Sequence, residues 1–316
     1  MLVYSYGHRA AAEKDRGFAD PLRFLGFARD RGANAVQIPL GAKPAADAAA
    51  VRREADRLGM RVEGIIAPPK PEKADRDRFA AELAAARGCG ADVVRVVMLG
   101  GRRYEVFDKP DDYPAFATRA EESLRAAEPL AAAARVVLAV ENHKDYRADE
   151  QADLLKRLAS EWVGACVDTG NNLALLEDPA AAVAALAPFA RTVHLKDIGV
   201  EEAADGFRMA EVPLGRGGLD LPAIVAALRK ANPKLPFHLE MITRDPLAIP
   251  CLTERYWATL GRVPGRDLAR TLTRVRKAAG KDPLPRVSGL AAADRLDAED
   301  RNVRESFAFA ARSKLL

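Results

Sequence analysis

The chain has 316 residues, 49% of them hydrophobic and 30% charged, which is the ordinary composition of a globular protein and leaves room for one large α/β domain or two small ones. The formal net charge is only +4, and the three cysteines have no paired spacing, so we expect a reducing cytoplasmic setting and no disulfide framework. No apolar run approaches the ~20 residues of a membrane span, and MLVYSYGHR lacks a signal-peptide core, so membrane and secretory classes are not expected.

Predicted strands and helices alternate along most of the chain. Short β-branched runs are separated by Ala-, Leu- and Arg-rich segments of helical period, which is the pattern of repeated βα units in a parallel sheet. The predicted strands are Leu2–Tyr6, Ala35–Ile38, Arg61–Ile65, Val93–Met98, Val136–Val140, Gly164–Val167, Thr192–Leu195 and Phe237–Leu239. The predicted helices are Pro44–Leu58, Ala74–Arg87, Asp112–Ala134, Glu150–Leu158, Pro179–Phe189 and Leu221–Lys230.

Eight strands alternating with helices are what a (β/α)8 TIM barrel requires. An open doubly wound sheet usually has fewer strands and a Gly-rich phosphate-binding turn after the first strand, whereas YGHRAAAEK follows the first strand here. We therefore predict an α/β protein with a TIM-barrel domain over residues 1–250 and a C-terminal helical extension over residues 251–316.

The predicted extension is basic. From Arg255 onward the chain has 14 lysines and arginines against 7 aspartates and glutamates. A basic tail is one kind of nucleic-acid contact, but this segment has no aromatic interleaving and no run of like charge. We predict that it packs against the barrel or a partner subunit and binds no nucleic acid, and we leave a homo-oligomer open.

All four histidines follow, end or lie in predicted strands. His8 follows the first strand, His143 and His194 lie at the ends of the fifth and seventh, and His238 lies in the eighth. The carboxyl ends of barrel strands form the active-site face, so polar residues there indicate chemistry. Any one of these histidines has an ordinary alternative as a core or loop residue, but their joint placement favours a functional site.

Carboxylates repeat the pattern at the strand ends. Glu141 follows VVLAV, Asp168 ends GACVD and Glu240 ends FHLE, and together with His194 they come from four adjacent strands. Three converging carboxylates would repel one another unless a cation lay among them. Oxygen ligands with one imidazole suit one divalent ion, for which we expect Mn²⁺, with Mg²⁺, Co²⁺ or Zn²⁺ as alternatives. The competing interpretation is helix capping and loop ion pairs, for which the Asp168 segment DTGNN has suitable residues.

Four short motifs resemble those of a known family. ENH after the fifth strand, CVDTGN after the sixth, VHLKD at the seventh and HLE at the eighth are similar, in order and spacing, to the xylose-isomerase-like TIM barrels, which include sugar phosphate isomerases and epimerases. The resemblance covers about residues 1–250, and the terminal RNVRESFAFA segment is also similar to members of the family.

The resemblance implies that Glu141, Asp168, His194 and Glu240 bind one divalent ion, and that the two glutamates also exchange protons with the substrate. It places Asn171 where ketose epimerases have a substrate-contacting histidine. Two segments depart from the ketose 3-epimerase pattern, namely HLKDIG and ENHKDY. HLKD is closer to inosose dehydratase-like members, so simple ketose epimerisation is less well supported than the metal site.

The chemistry implied is metal-assisted enolisation of a keto sugar or sugar derivative. If one glutamate removes an α-proton and the other returns a proton from the opposite face, the enzyme is an isomerase or epimerase. If the ene-diolate loses a hydroxyl group or arises by loss of CO₂ from a keto sugar acid, the same site is that of a lyase. A barrel that binds a metal or a sugar without turnover is the third hypothesis. The candidate substrate-binding residues are His8, His143, Asn171, Lys196, Arg216 and His238.

Overall fold

The computed structural model describes residues 1–278 and 283–315. Its strands are β1 Ala35–Pro39, β2 Arg61–Ile65, β3 Val93–Val96, β4 Val137–Glu141, β5 Val163–Asp168, β6 Ala190–Leu195, β7 Asp197–Ala203, β8 Gly206–Val212, β9 Phe237–Leu239 and β10 Leu247–Ile249. Its α-helices are α1 Gly7–Ala12, α2 Pro21–Arg29, α3 Ala45–Leu58, α4 Lys73–Gly88, α5 Arg103–Val106, α6 Asp112–Ala134, α7 Ala148–Leu158, α8 Pro179–Leu186, α9 Leu221–Ala231, α10 Gly265–Ala278 and α11 Ala292–Arg312.

Seven parallel strands form a nearly closed barrel in the order β1-β2-β3-β4-β5-β6-β9. The gap between β9 and β1 is filled by the first residues of the chain. Leu2 bridges Gln37 of β1 in parallel, and its amide donates to the Leu239 carbonyl of β9 at 3.0 Å. The predicted TIM barrel is therefore confirmed, with a very short segment in the eighth strand position.

The predicted first strand Leu2–Tyr6 is wrong beyond Leu2, because Val3–Tyr6 forms a 3-10 helix. The Ser5 hydroxyl substitutes for a strand ladder here, since it donates to the Leu239 carbonyl at 3.1 Å and accepts from the Met241 amide at 3.1 Å. His8 consequently lies on α1 and does not extend from a strand end.

Helix starts follow the local sequence signals. Asp20, Asp178 and Asp220 each accept a hydrogen bond from a backbone amide in the first turn of α2, α8 and α9, and each is followed within two residues by a proline. A carboxylate at the N-cap satisfies amides that have no partner inside the helix, and proline is pre-organised for the first turn. The apolar faces of the helices pack on buried strands such as Val163–Asp168, every residue of which is buried.

A second, antiparallel sheet was not predicted from the sequence. Strands β7 and β8 form a hairpin directly after β6, and β10 pairs with β8. The sheet has an apolar core of its own, separate from that of the barrel, to which Phe207, Met209, Ile249 and Tyr256 contribute. Because β7 begins two residues after β6, this sheet lies at the carboxyl-terminal end of the barrel strands and brings its own side chains there.

The predicted C-terminal helical extension contains the helices α10 and α11 among the described residues. Val275 of α10 packs in the core of the small sheet, and Val303 of α11 packs in the barrel core. The segment KDPLPRVSG lies between them in the sequence, and its first two residues are outside the described part of the chain. The division into two domains at residue 250 stays a prediction.

Within the described residues, no helix combines the length and apolar character needed to cross a membrane.

Candidate metal centre and active site

Four polar side chains meet at the carboxyl ends of four adjacent barrel strands. Glu141 and Asp168 are the last residues of β4 and β5, His194 is the fifth residue of β6, and Glu240 directly follows β9. One candidate ligand atom from each of the four lies within 4.8 Å of all the others. All four residues are buried, so the barrel brings together the set that the sequence predicted.

Protein cations offset the repulsion between these carboxylates. The Lys196 ammonium lies 2.8 Å from Asp168 Oδ2 and 3.2 Å from Glu240 Oε2, and Arg95 Nε donates to Glu141 Oε2. These buried carboxylates therefore already have cationic partners without a metal ion. Burial favours the neutral form of both glutamic acids. The charges of Arg95 and His194 nevertheless hold the pKa of Glu141 well below its usual range. The charges of Lys196 and His194 do the same for the pKa of Glu240.

The stronger evidence for a metal centre is a set of buried atoms without hydrogen bonds. Asp168 Oδ2, His194 Nδ1 and Glu240 Oε2 are buried and make no regular hydrogen bond among the described residues, although each has an ion-pair contact at 2.8 Å. Lys196 and the His194–Glu240 contact partly neutralise these atoms, but the atoms lie close enough together for a single ion to bind all of them. Two carboxylate oxygens and an imidazole nitrogen fit a divalent ion.

The ring orientation of His194 is set by Gln37 and Glu63. The carboxylate of Glu63 can only accept, so the Gln37 amide donates to it through Nε2 at 3.1 Å. The Gln37 Oε1 atom therefore faces His194 Nε2 at 2.7 Å and accepts its proton. This arrangement leaves Nδ1 of His194 toward Glu240 and Glu141, at 2.8 Å and 3.5 Å from their carboxylate oxygens. Such second-layer partners orient metal-binding histidines in many proteins.

The two carboxylate oxygens of Asp168 have different partners. Its Oδ1 accepts from the amides of Gly170 at 2.9 Å and Asn171 at 2.7 Å, and its Oδ2 faces Lys196. The Oδ1 atom therefore holds the turn before the 3-10 helix Asn171–Leu175, whose N-cap residue is Gly170 and not Asp168. Asn142 holds the backbone of Asp168 on both sides, donating to its carbonyl at 2.9 Å and accepting from its amide at 2.7 Å.

Of the six predicted substrate-binding residues, three lie in or beside the cluster. Asn171 and Lys196 join the cluster, since Asn171 Nδ2 donates to Glu141 Oε1 at 3.1 Å and Lys196 contacts two of the carboxylates. His143 is half-buried beside the cluster, and burial lowers the pKa of His143 to about 4. Lys196 does not pair with the adjacent Asp197. Asp197 instead accepts from the amides of Gly215, Gly217 and Leu219 and holds that loop.

Three predicted substrate-binding residues lie outside the cluster. His238 is fully buried and contacts Glu63 at 3.0 Å, among the side chains that support the cluster. His8 contacts the Thr243 carbonyl at 2.9 Å. Arg216 pairs with Glu305 of α11 at 2.9 Å, and its side chain is 68% exposed. The loop that holds Arg216 is pinned to Asp197, which turns the guanidinium outward.

Several residues of the site were missed from the sequence. Arg95 is a charged residue inside the β-branched run VVRVV, a signal that was available. Lys144 follows ENH and donates to Asn171 Oδ1. Glu211 of β8 lies 3.6 Å from the Lys196 ammonium and pairs with Arg244 at 2.6 Å. No sequence pattern locates Glu211, because its position depends on how the small sheet packs over the barrel.

Comparison with known proteins gives a family model and structural neighbours. The model described as xylose isomerase-like TIM barrel matches residues 25–261. No curated protein sequence matches the chain significantly. A structure of D-psicose 3-epimerase in the presence of D-fructose is similar at a TM-score of 0.61 and 16% identity, covering 92% of each chain.

Two further structures extend the comparison. A xylose isomerase-like TIM barrel protein from Mycobacterium smegmatis in complex with magnesium has a TM-score of 0.58 and 18% identity, covering 80% of this chain and 89% of that one. The probable 3-DHS dehydratase of petrobactin synthesis from Bacillus anthracis has a TM-score of 0.56 and 12% identity, covering 87% and 97%. At these identities the likeness is one of fold.

Proposed function

This chain belongs to the xylose isomerase-like TIM barrel family, and we propose that it is a divalent-metal-dependent isomerase or epimerase of a keto sugar or sugar derivative. The observation that carries the proposal is the buried cluster of Glu141, Asp168, His194 and Glu240, whose candidate ligand atoms all lie within 4.8 Å of one another. Structural neighbours that act on sugars, including the D-psicose 3-epimerase, support a small sugar substrate.

The four cluster residues would hold one divalent ion. We propose Mn²⁺, with Mg²⁺, Co²⁺ or Zn²⁺ as alternatives. When bound, such an ion polarises a substrate carbonyl and stabilises the negative charge of an ene-diolate. Without an ion, burial opposes the charged imidazole, but Cys166 and the two glutamates hold the pKa of His194 well above its usual range. Ion binding at Nδ1 should therefore release a proton.

Glu141 and Glu240 are the candidate acid/base pair. They lie at the ends of β4 and β9 and contribute atoms to the same small cluster. Arg95 and Asn171 each donate to a different oxygen of Glu141, which keeps this carboxylate ionised and oriented. A carboxylate held in this way is suited to remove a proton next to a carbonyl, and the second glutamate can return one.

A lyase is the alternative, and the position of Lys196 favours it. The ammonium lies between Asp168 and Glu240 and within 3.6 Å of Glu211. A cation at this point can donate a proton to a departing hydroxyl group or bind the carboxylate of a keto acid. The structural likeness to a probable dehydratase is compatible with this outcome.

The test follows hydrogen exchange and product mass together. The purified protein, loaded with Mn²⁺, is incubated in D₂O with a panel of ketoses and keto sugar acids, and C–H exchange and CO₂ release are followed by NMR. Exchange without loss of mass supports the isomerase or epimerase, whereas loss of water or CO₂ supports the lyase. Tight Mn²⁺ binding with no exchange on the whole panel would favour a non-catalytic barrel. Glu240→Gln, which removes a candidate acid/base group, is tested in the same assay. Its matched control is Glu122→Gln, because Glu122 is an exposed residue of α6.

A further inference from the structure

Lys144 has a backbone and a side-chain position that are unusual for lysine. It follows ENH and has φ of 68°, a left-handed conformation that non-glycine residues rarely adopt. Its side chain nevertheless turns inward, and the residue is only 4% exposed. Such a conformation costs energy and persists where the surrounding structure enforces it.

The ammonium of Lys144 is buried and has no ion-pair partner in the described part of the chain. Nζ donates to Asn171 Oδ1, and Lys196 Nζ contacts the same oxygen at 3.3 Å, so two ammonium groups converge on one amide oxygen. Among the described residues, no carboxylate oxygen lies within 4.0 Å of Lys144 Nζ. Arg95, Lys196 and Arg244, in contrast, each pair with at least one carboxylate. Burial and the charge of Lys196 lower the pKa of Lys144 to about 8.

The charges around the centre leave positive charge to be neutralised once an ion binds. Four buried carboxylates, those of Glu141, Asp168, Glu211 and Glu240, face four cations, those of Arg95, Lys144, Lys196 and Arg244. Once an ion is bound His194 is neutral, so the four carboxylates and four cations cancel and the two positive charges of the ion are left over. The ion also engages carboxylates that now neutralise Lys196. Buried charges need partners, so the loaded site requires an anion beside the two lysines.

We propose that Lys144 and Lys196 form an anion subsite beside the metal centre, which binds a carboxylate or phosphate group of the substrate. The inference rests on the proposed function and narrows its substrate class to acidic keto sugars. Asn171 Oδ1 holds both ammonium groups in the present structure, and its amide nitrogen contacts Glu141 Oε1. Binding of the anion at this point would therefore position the substrate next to the candidate base.

The test measures binding to the Mn²⁺-loaded protein by calorimetry. The probes are D-fructose, D-fructose 6-phosphate and 5-keto-D-gluconate, which are neutral, phosphorylated and carboxylated. The variants are Lys144→Met, Lys144→Arg as the charge-conserving rescue, and Lys156→Met as the control, since Lys156 is a largely exposed lysine on α7. Mn²⁺ affinity is titrated for every variant first.

We expect one anionic probe to bind wild-type protein more tightly than D-fructose, and the probe that does so identifies the anion as carboxylate or phosphate. Lys144→Met should weaken that probe by about 10- to 150-fold, the usual loss for a charge-assisted hydrogen bond, and leave D-fructose unchanged. Mn²⁺ should bind Lys144→Met at least as tightly as wild type because a nearby positive charge is gone. Lys144→Arg should recover most of the affinity, and Lys156→Met should lose none.

The subsite is refuted if Lys144→Met binds the anionic probes like wild type, or if neither anionic probe binds better than D-fructose. Both results are separate from failure of the proposed function, which would show as no Mn²⁺ binding and no C–H exchange with any sugar. If Lys144→Met fails to fold, Lys144→Gln gives the same test with a shorter neutral side chain.

Discussion

Gln37 should control the metal affinity although it is not a ligand. Its Oε1 accepts from His194 Nε2 at 2.7 Å, and both residues are fully buried, so no water replaces the bond when Gln37 is changed to leucine. Leaving a buried donor unsatisfied costs about 1–3 kcal/mol. His194 would also lose the acceptor that fixes its ring orientation. We expect the Mn²⁺ dissociation constant to rise by about 10- to 100-fold, the usual range for such partners.

The assay is Mn²⁺ titration at pH 7.5 by calorimetry, with thermal unfolding of the same samples. Gln151→Leu is the matched control, because Gln151 is also fully buried and its Nε2 donates to the Val140 carbonyl at 2.8 Å, without contacting a candidate ligand. Both variants should lose stability, and only Gln37→Leu should lose metal affinity. If folded Gln37→Leu binds Mn²⁺ within about threefold of wild type, the inferred tautomer of His194 is wrong.

Three further predictions test the chemistry, the packing and the pH dependence. Glu240→Gln, assayed at full Mn²⁺ occupancy, should lose at least ~10²-fold in turnover, since a positioned acid/base group is removed; near-native turnover would make Glu240 only a ligand. Gly215→Ala should destabilise the protein by about 1–3 kcal/mol, because φ is +83° and a Cβ would lie 2.1 Å from the Phe309 ring, whereas Gly100→Ala should be neutral in thermal unfolding since nothing lies within 4 Å. Burial raises the pKa of Glu177 from 4.5 to about 7, so its contribution to stability is full below pH 4.5 and lost as the pH rises through 7, by up to about 3 kcal/mol. The free energy of unfolding should therefore decline less between pH 5 and pH 8 in Glu177→Gln than in the wild-type protein. Equal declines in the two proteins would contradict the raised pKa.

Local patterns in the sequence were enough for the barrel and for four residues of the site. Strand β2 and helix α6 have the predicted bounds because their hydrophobic periodicity and flanking residues are local properties of the chain. Glu141, Asp168, His194 and Glu240 were found because parallel strands all end on the same face of a barrel. The strand order alone then places them side by side.

The tertiary structure decided how those residues are supported and neutralised. Gln37 and Glu63 support His194 from β1 and β2, at a sequence distance of more than 130 residues, and no local signal joins them. The inward turn of Lys144 depends on a left-handed backbone and on Asn171. The outward turn of Arg216 depends on Asp197 and Glu305.

The small sheet is the clearest case of this difference. Strands β7 and β8 are only partly apolar, so their periodicity does not separate a solvent-exposed hairpin from one that packs on the barrel. Only the packed structure places Glu211 within 3.6 Å of Lys196 and Arg244 next to Glu211. Strand periodicity is a local property and predicts which face of a strand is buried, but the charge balance of a site depends on distances between distant segments, which form only when the chain folds.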